Sequence, residues 1–240
     1  MENVREIYSL FIQNQIPKTS HTLEWLPISH TDSEHSKFDW NYFVLGTHSE
    51  DEDAKEFLKL VRVRVPNQAL KLDELREFAP IQGHLSRLEV VKEFEHEGEV
   101  IKSRCMPQNL SVVASMTNSG TINLYNLPEV NIGSDQKEVQ RLKAKLTGLE
   151  EESFALSWSK NKQGLLCSAS GTTVCVWDVE KNTTPSVELS NAHVENINDV
   201  KFSQLNEHLM ISTSDDGHFK IWDLRTQKFI QTFKAADDSL

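Results

Sequence analysis

Cysteine is scarce in this chain: Cys105, Cys167 and Cys175 are the three present in 240 residues, and no two form a CxxC. So odd and sparse a set excludes a disulfide framework and a cysteine-rich zinc site, and it fits a reducing compartment. Positive charge is short as well. Lys and Arg number 25 against 36 Asp and Glu, a net charge of −11, which is the wrong sign for a nucleic-acid surface and the right one for basic partners. Long apolar runs are missing. The opening MENVREIYSLFIQNQIPKTS is broken by charge or amide every few positions, so neither a signal peptide nor a membrane span is expected. Nine glycines and seven prolines are too few for collagen-like or linker-like sequence. The chain is long enough to bury a core without staples, as one large domain or two small ones.

Catalytic signatures are also absent. There is no GxGxxG opening a helix after a strand, no GxxxxGK[ST], no HExxH and no GxSxG. The nine histidines are scattered, and the nearest groups, His30/His35 and His208/His218, lack ligand spacing. Surface or structural histidines are expected, with no catalytic residue, metal or cofactor. Cys167 and Cys175 read as small buried residues of neighbouring strands.

What is there begins with Val4, Ile7, Tyr8, Leu10 and Phe11 at roughly helical spacing, closed by Pro17, which predicts one short amphipathic helix. From about residue 21 the pattern becomes short β-rich runs, such as Tyr42 to Gly46, Phe57 to Val65, Val112 to Ser115 and Thr121 to Tyr125. Ser29 to Lys37, Gln68 to Glu77 and the excursion 128–141 read as loops. The acidic cluster Glu50-Asp51-Glu52-Asp53 reads as a solvated hairpin tip.

Internal repetition carries the most information. VCVWDVE at 174–180 and FKIWDLR at 219–225 share one pattern, and Trp177 and Trp222 stand 45 residues apart, a period that belongs to propeller blades. INLYNLP at 122–128 is a weaker copy, with Tyr125 in the Trp place 52 residues before Trp177. Upstream of each copy the same order recurs: strand, polar turn, strand, tight turn, strand.

These units resemble WD repeats, and the resemblance implies an all-β, partial WD-repeat β-propeller of about four blades with a short N-terminal α-helix. In such repeats a His, a Ser or Thr, an Asp and the Trp form a hydrogen-bonded set, which satisfies buried polar groups that would otherwise cost about 1–3 kcal/mol each. The fourth unit has the parts: His193, Ser212 or Ser214, Asp216 and Trp222. In the third, Gly148-Leu149 replaces Gly-His and no Asp falls in the turn; the second has no Trp. Both are expected to be less tightly pinned.

EHEGEVIKSRCMPQN at 95–109, FVLGTHSEDEDAKEFLKLVRVRVP at 43–66 and Thr22-Leu23-Glu24-Trp25-Leu26-Pro27 resemble the retinoblastoma-binding, MSI-like histone chaperones from about residue 5 to 236. This implies the divisions 1–17 (helix), 21–97 (leading strand and irregular first blade), 98–148, 149–192 and 193–236 (second to fourth blades) and 237–240 (tail). It also implies a non-catalytic, nuclear and secondarily cytoplasmic subunit that presents histones, or similar basic peptides, to chromatin assembly or modifying complexes, without direct contact to nucleic acid or membrane. The alternative is a WD scaffold for another client, in ribosome assembly or ubiquitin ligation, since propellers host many functions.

Carried over by position, the resemblance implies a peptide site of Glu99, Glu152 and Phe154, with Asn198 where a further carboxylate is expected and Glu195 near enough to substitute. For each Glu alone, a solvated loop carboxylate is an equal reading. Val4, Ile7, Tyr8 and Phe11 would form one wall of a second, helix-binding groove, or simply cover the propeller flank. Four units are visible where the resemblance implies about seven, so open blade edges and self-association of this chain are expected.

Overall fold

The computed structural model describes residues 18–49, 51, 54–67, 88–127 and 142–235. They form four antiparallel sheets of four strands, each sheet ordered as its strands follow in the chain. The first holds β1 (Leu23–Thr31), β2 (Phe38–Gly46), β3 (Glu56–Pro66) and β4 (Leu88–His96); the second holds β5 (Val100–Met106), β6 (Asn109–Thr117), β7 (Ile122–Asn126) and β8 (Leu142–Leu146). In the third are β9 (Leu156–Trp158), β10 (Leu165–Ser170), β11 (Thr173–Asp178) and β12 (Val187–Leu189); in the fourth are β13 (Ile197–Phe202), β14 (Leu209–Ser214), β15 (His218–Asp223) and β16 (Lys228–Lys234). The helix expected over 1–17 and the loops expected at 68–77 and 128–141 lie outside the described residues. Among the described residues no helix is long and apolar enough to cross a membrane.

Strands buried on both faces read as near-continuous apolar runs, because alternate side chains enter different cores. On β10, Leu166 packs into a cluster with Trp158, Met116 and Trp177, whereas Cys167 packs with Val200, Met210 and Trp222. One such cluster fills each interface between successive sheets, and a fourth, built on Phe43, Leu45, Val61 and Val63, lies on the first sheet. The leading strands β1, β5, β9 and β13 contact one another in succession. Polar ties fasten them: Cys105 N–H donates to Glu24 Oε2 at 2.6 Å, and the Trp158 indole donates to the Arg104 carbonyl at 2.8 Å.

One loop is shorter than its composition suggested. Ser29, His30 and Thr31 pair with Asn41, Trp40 and Asp39, and the register shifts between Leu26 and Ser29. Pro27 has no N–H to give the ladder, so the strand breaks there and resumes beyond it despite its polar side chains. The fourth sheet is buried mainly toward the third; on β16, Phe229 and Ile230 are exposed.

Candidate peptide-binding site

The segments leading into β5, β9 and β13 lie at the same end of the sheets as the β6–β7, β10–β11 and β14–β15 turns. Backbone bonds stitch this end together. Val100 N–H donates to Thr47 O at 3.3 Å, Ala192 N–H to Thr172 O at 2.8 Å and Ile197 N–H to Gly171 O at 2.9 Å. Gly120, in the β6–β7 turn, has φ of +79°, and a Cβ there would lie 2.6 Å from the Glu151 carbonyl oxygen. Only glycine fits so close an approach with that backbone.

Buried polar chains hold each sheet to this end. In the fourth, Asp216 Oδ2 accepts from His193 Nδ1 at 2.9 Å, Ser212 Oγ lies 2.8 Å from His193 Nε2, and the Trp222 indole donates to Ser212 Oγ at 2.8 Å. Burial pushes Asp216 up, but His193 and the Val194 and His218 N–H groups outweigh it and hold the carboxyl at about 2. Burial lowers the His193 pKa against the pull of Asp216. A neutral imidazole donating from Nδ1 to an ionised Asp216 must accept at Nε2, so Ser212 donates to His193 while accepting from Trp222. Ser214, the other candidate, instead donates to the Glu195 carbonyl at 3.0 Å.

The second sheet carries a set that sequence reasoning missed. His96 Nε2 meets Ser115 Oγ at 2.8 Å and its Nδ1 meets Gly98 O at 2.8 Å, while Tyr125 Oη donates to Glu95 O at 3.1 Å. His96 and Ser115 are 19 residues apart, as are His193 and Ser212. That spacing was the available signal, hidden because Tyr125 replaces Trp and the turn has no Asp. In the third sheet Leu149 cannot bond, yet Trp177 is fully buried, its indole donates to Thr147 O at 3.1 Å, and Ser168 Oγ donates to Ala155 O. Different partners do the same work.

The expected peptide residues are distributed around this end. Glu99, just before β5, is half-buried, and its Oε2 lies 3.0 Å from His48 Nδ1. His48 was not foreseen; the His21 ring packs edge-on to it at 4.5 Å. Glu152 is exposed, and the Phe154 ring, two residues before β9, is 51% exposed. Glu195 is exposed in the segment before β13. Asn198, at the start of that strand, donates from Nδ2 to Asp215 Oδ1 at 2.6 Å. The fourth sheet therefore offers Asp215, an unforeseen carboxylate, beside the asparagine. Val4, Ile7, Tyr8 and Phe11 lie outside the described residues.

The leading strands carry charges of both signs. Burial raises Glu24 against the Cys105 N–H and Arg104, and burial lowers Lys102, reinforced by Arg104. Lys201 on β13 adds a smaller lowering effect on both.

Carboxylates with a solvated phenyl ring can hold Lys and Arg side chains; the thiols have no comparable role. Cys105, Cys167 and Cys175 are free and buried, and burial pushes all three up, Cys175 to about 12. Asp32, Glu34 and His35 bring possible metal-ligand atoms within 4.8 Å of one another. Asp32, however, pairs with Arg64 at 2.8 Å and accepts from the Glu34 N–H at 3.0 Å, as a carboxylate stabilising its own turn does.

Residues 185–223 match the family model described as "WD domain, G-beta repeat". Over 231 residues, 94% of this chain, the sequence is 32% identical to "Histone acetyltransferase type B subunit 2" of Debaryomyces hansenii. The chain spans about half of that relative's length, 52%. The four four-stranded antiparallel sheets and the repeat match are those of a WD-repeat β-propeller, and over 94% of its length the chain is similar to histone acetyltransferase type B subunit 2.

Proposed function

We propose that the protein is a non-catalytic histone-binding subunit, nuclear in location, that presents histones to chromatin assembly or modifying complexes. The observation that carries this reading is 32% identity, across 94% of the chain, to a protein named as a subunit of a histone acetyltransferase. The chemistry is compatible. A chain of net charge −11 attracts basic partners at long range, and Glu99, Glu152, Glu195 and Asp215 supply carboxylates at one end of the sheets. Phe154 adds an apolar contact.

A basic tail held in this way releases counterions and screens with salt. Titration of labelled histone tail peptides against the 240-residue chain over a salt series is therefore the test. Micromolar binding that weakens steeply with salt is expected. No binding, or binding indifferent to salt, would remove the basis for the assignment.

A further inference from the structure

A cavity of about 320 Å³ opens on the flank of the second blade, between the end of β4 and strands β7 and β8. This is at the small end of ligand-sized pockets, roughly 300–1,000 Å³. At its lining lies Asn123, 1% exposed, whose Oδ1 is buried with no hydrogen-bond donor among the described residues. The other buried polar groups of the cavity are already served: His96 by Ser115 and Gly98, Tyr125 by the Glu95 carbonyl.

The equivalent positions of the next two blades sharpen the contrast. Cys175 points its thiol at Gly148 O, 3.7 Å away, and Lys220 donates to Ala192 O at 2.6 Å. Both fill the place with a donor. Asn123 instead presents an acceptor, and a buried acceptor left alone costs about 1–3 kcal/mol.

Charge and shape narrow the missing group. Glu95 and Glu97 line the cavity and are well exposed, and their present partners are the surface lysines Lys55 and Lys145. Such exposed pairs are worth about 0–1 kcal/mol, so exchanging one cation for another costs little. Burial, and then the nearby Glu97, push the Tyr125 phenol up to about 12 against a hydrogen bond with the Asn123 side chain. Tyr125 and Leu142 supply apolar surface for an aliphatic stem.

We propose that this cavity receives a lysine or arginine side chain of a partner polypeptide, which donates to Asn123 Oδ1 and replaces Lys145 on Glu97. The site is separate from Glu99, Glu152 and Phe154 and does not depend on their role.

The test is a titration of the isotope-labelled 240-residue chain with acetyl-Ala-Lys-Ala-amide, its arginine counterpart and its norleucine counterpart, read by nuclear magnetic resonance at the Asn123 side-chain amide and the Lys145 backbone. Both cationic peptides should shift these signals and the norleucine peptide should not. Asn123→Leu, which replaces the buried acceptor with an apolar group of similar size, should weaken binding about tenfold or more. Glu97→Gln, at an exposed position, should weaken it and flatten its salt dependence, and it serves if the leucine variant folds poorly. Equal response to the norleucine peptide, unchanged binding by either variant, or shifts confined to the Glu99–Glu152 end would each overturn the proposal. The last result would leave the histone reading standing while removing this one.

Discussion

Ser212→Ala removes one oxygen and breaks two buried hydrogen bonds. Ser212 is fully buried, accepts from the Trp222 indole at 2.8 Å and sits 2.8 Å from His193 Nε2. Alanine fits the space but leaves the indole N–H without an acceptor and the imidazole nitrogen without a donor. Each orphaned group costs about 1–3 kcal/mol, so the variant should lose about 2–6 kcal/mol. With a urea slope of roughly 2 kcal/mol per molar, the midpoint falls by about 1–3 M. Ser214→Ala is the control: its hydroxyl meets the Glu195 carbonyl in an exposed setting, and a loss below about 1 kcal/mol is expected. Urea unfolding followed by circular dichroism, with amide exchange on β14 as a local reading, measures both. In a double-mutant cycle, Ser212→Ala and Trp222→Phe should couple by about 1 kcal/mol or more, since they share a bond. A Ser212→Ala midpoint within about 0.3 M of wild type would refute the claim that this chain of bonds pins the fourth blade.

Acidification should destabilise the protein in two stages. Burial lowers His96 and His193, so the unfolded chain takes up their protons first, and stability falls as pH drops below about 6.5. Asp216, at about 2 instead of 3.8, adds stability that is present above pH 3.8 and lost as pH falls toward 2; Glu24, raised by burial, works in the opposite direction. Urea midpoints from pH 8 to about pH 2 check the sign, and a midpoint rising steadily on acidification would contradict it. All three thiols should resist a disulfide exchange reagent at pH 8 until urea unfolds the chain, because they are buried and their pKa values raised; rapid reaction of any one in the folded protein would refute that burial. The 240-residue chain should self-associate through exposed surface such as Trp25 on β1 and Phe229 and Ile230 on β16. A monodisperse monomer with a cooperative melt would rule this out.

The blades were legible where chemistry repeats along the chain. Trp177 and Trp222 disclosed the period, and His193, Asp216 and Trp222 take part in one bonded set, because each must satisfy a buried partner. Ser212 and Ser214 were indistinguishable in sequence because both lie on the same face of β14, and only the deeper one reaches the imidazole. His96 and Ser115 escaped notice because the tyrosine and the turn around them depart from the repeat. The partnership of His48 with Glu99 could not be read, since 51 residues separate them and the hairpin of one sheet brings His48 beside the leading segment of the next. Asp215 was passed over for the same kind of reason. Its closeness to Asn198 depends on how a turn folds back across β13, which no local pattern states.

Where a basic peptide lies on the molecule remains the point on which the functional account turns. The most direct test is fluorescence anisotropy of one labelled histone tail peptide against wild type and the Glu99→Lys/Glu152→Lys double variant, both positions being solvent-accessible. Two attractions become repulsions, and at about 1 kcal/mol or more for each reversal the affinity should fall at least about thirtyfold at low salt, with the fold unchanged by circular dichroism. Equal affinity for the two proteins would contradict the placement of the peptide at this end of the sheets.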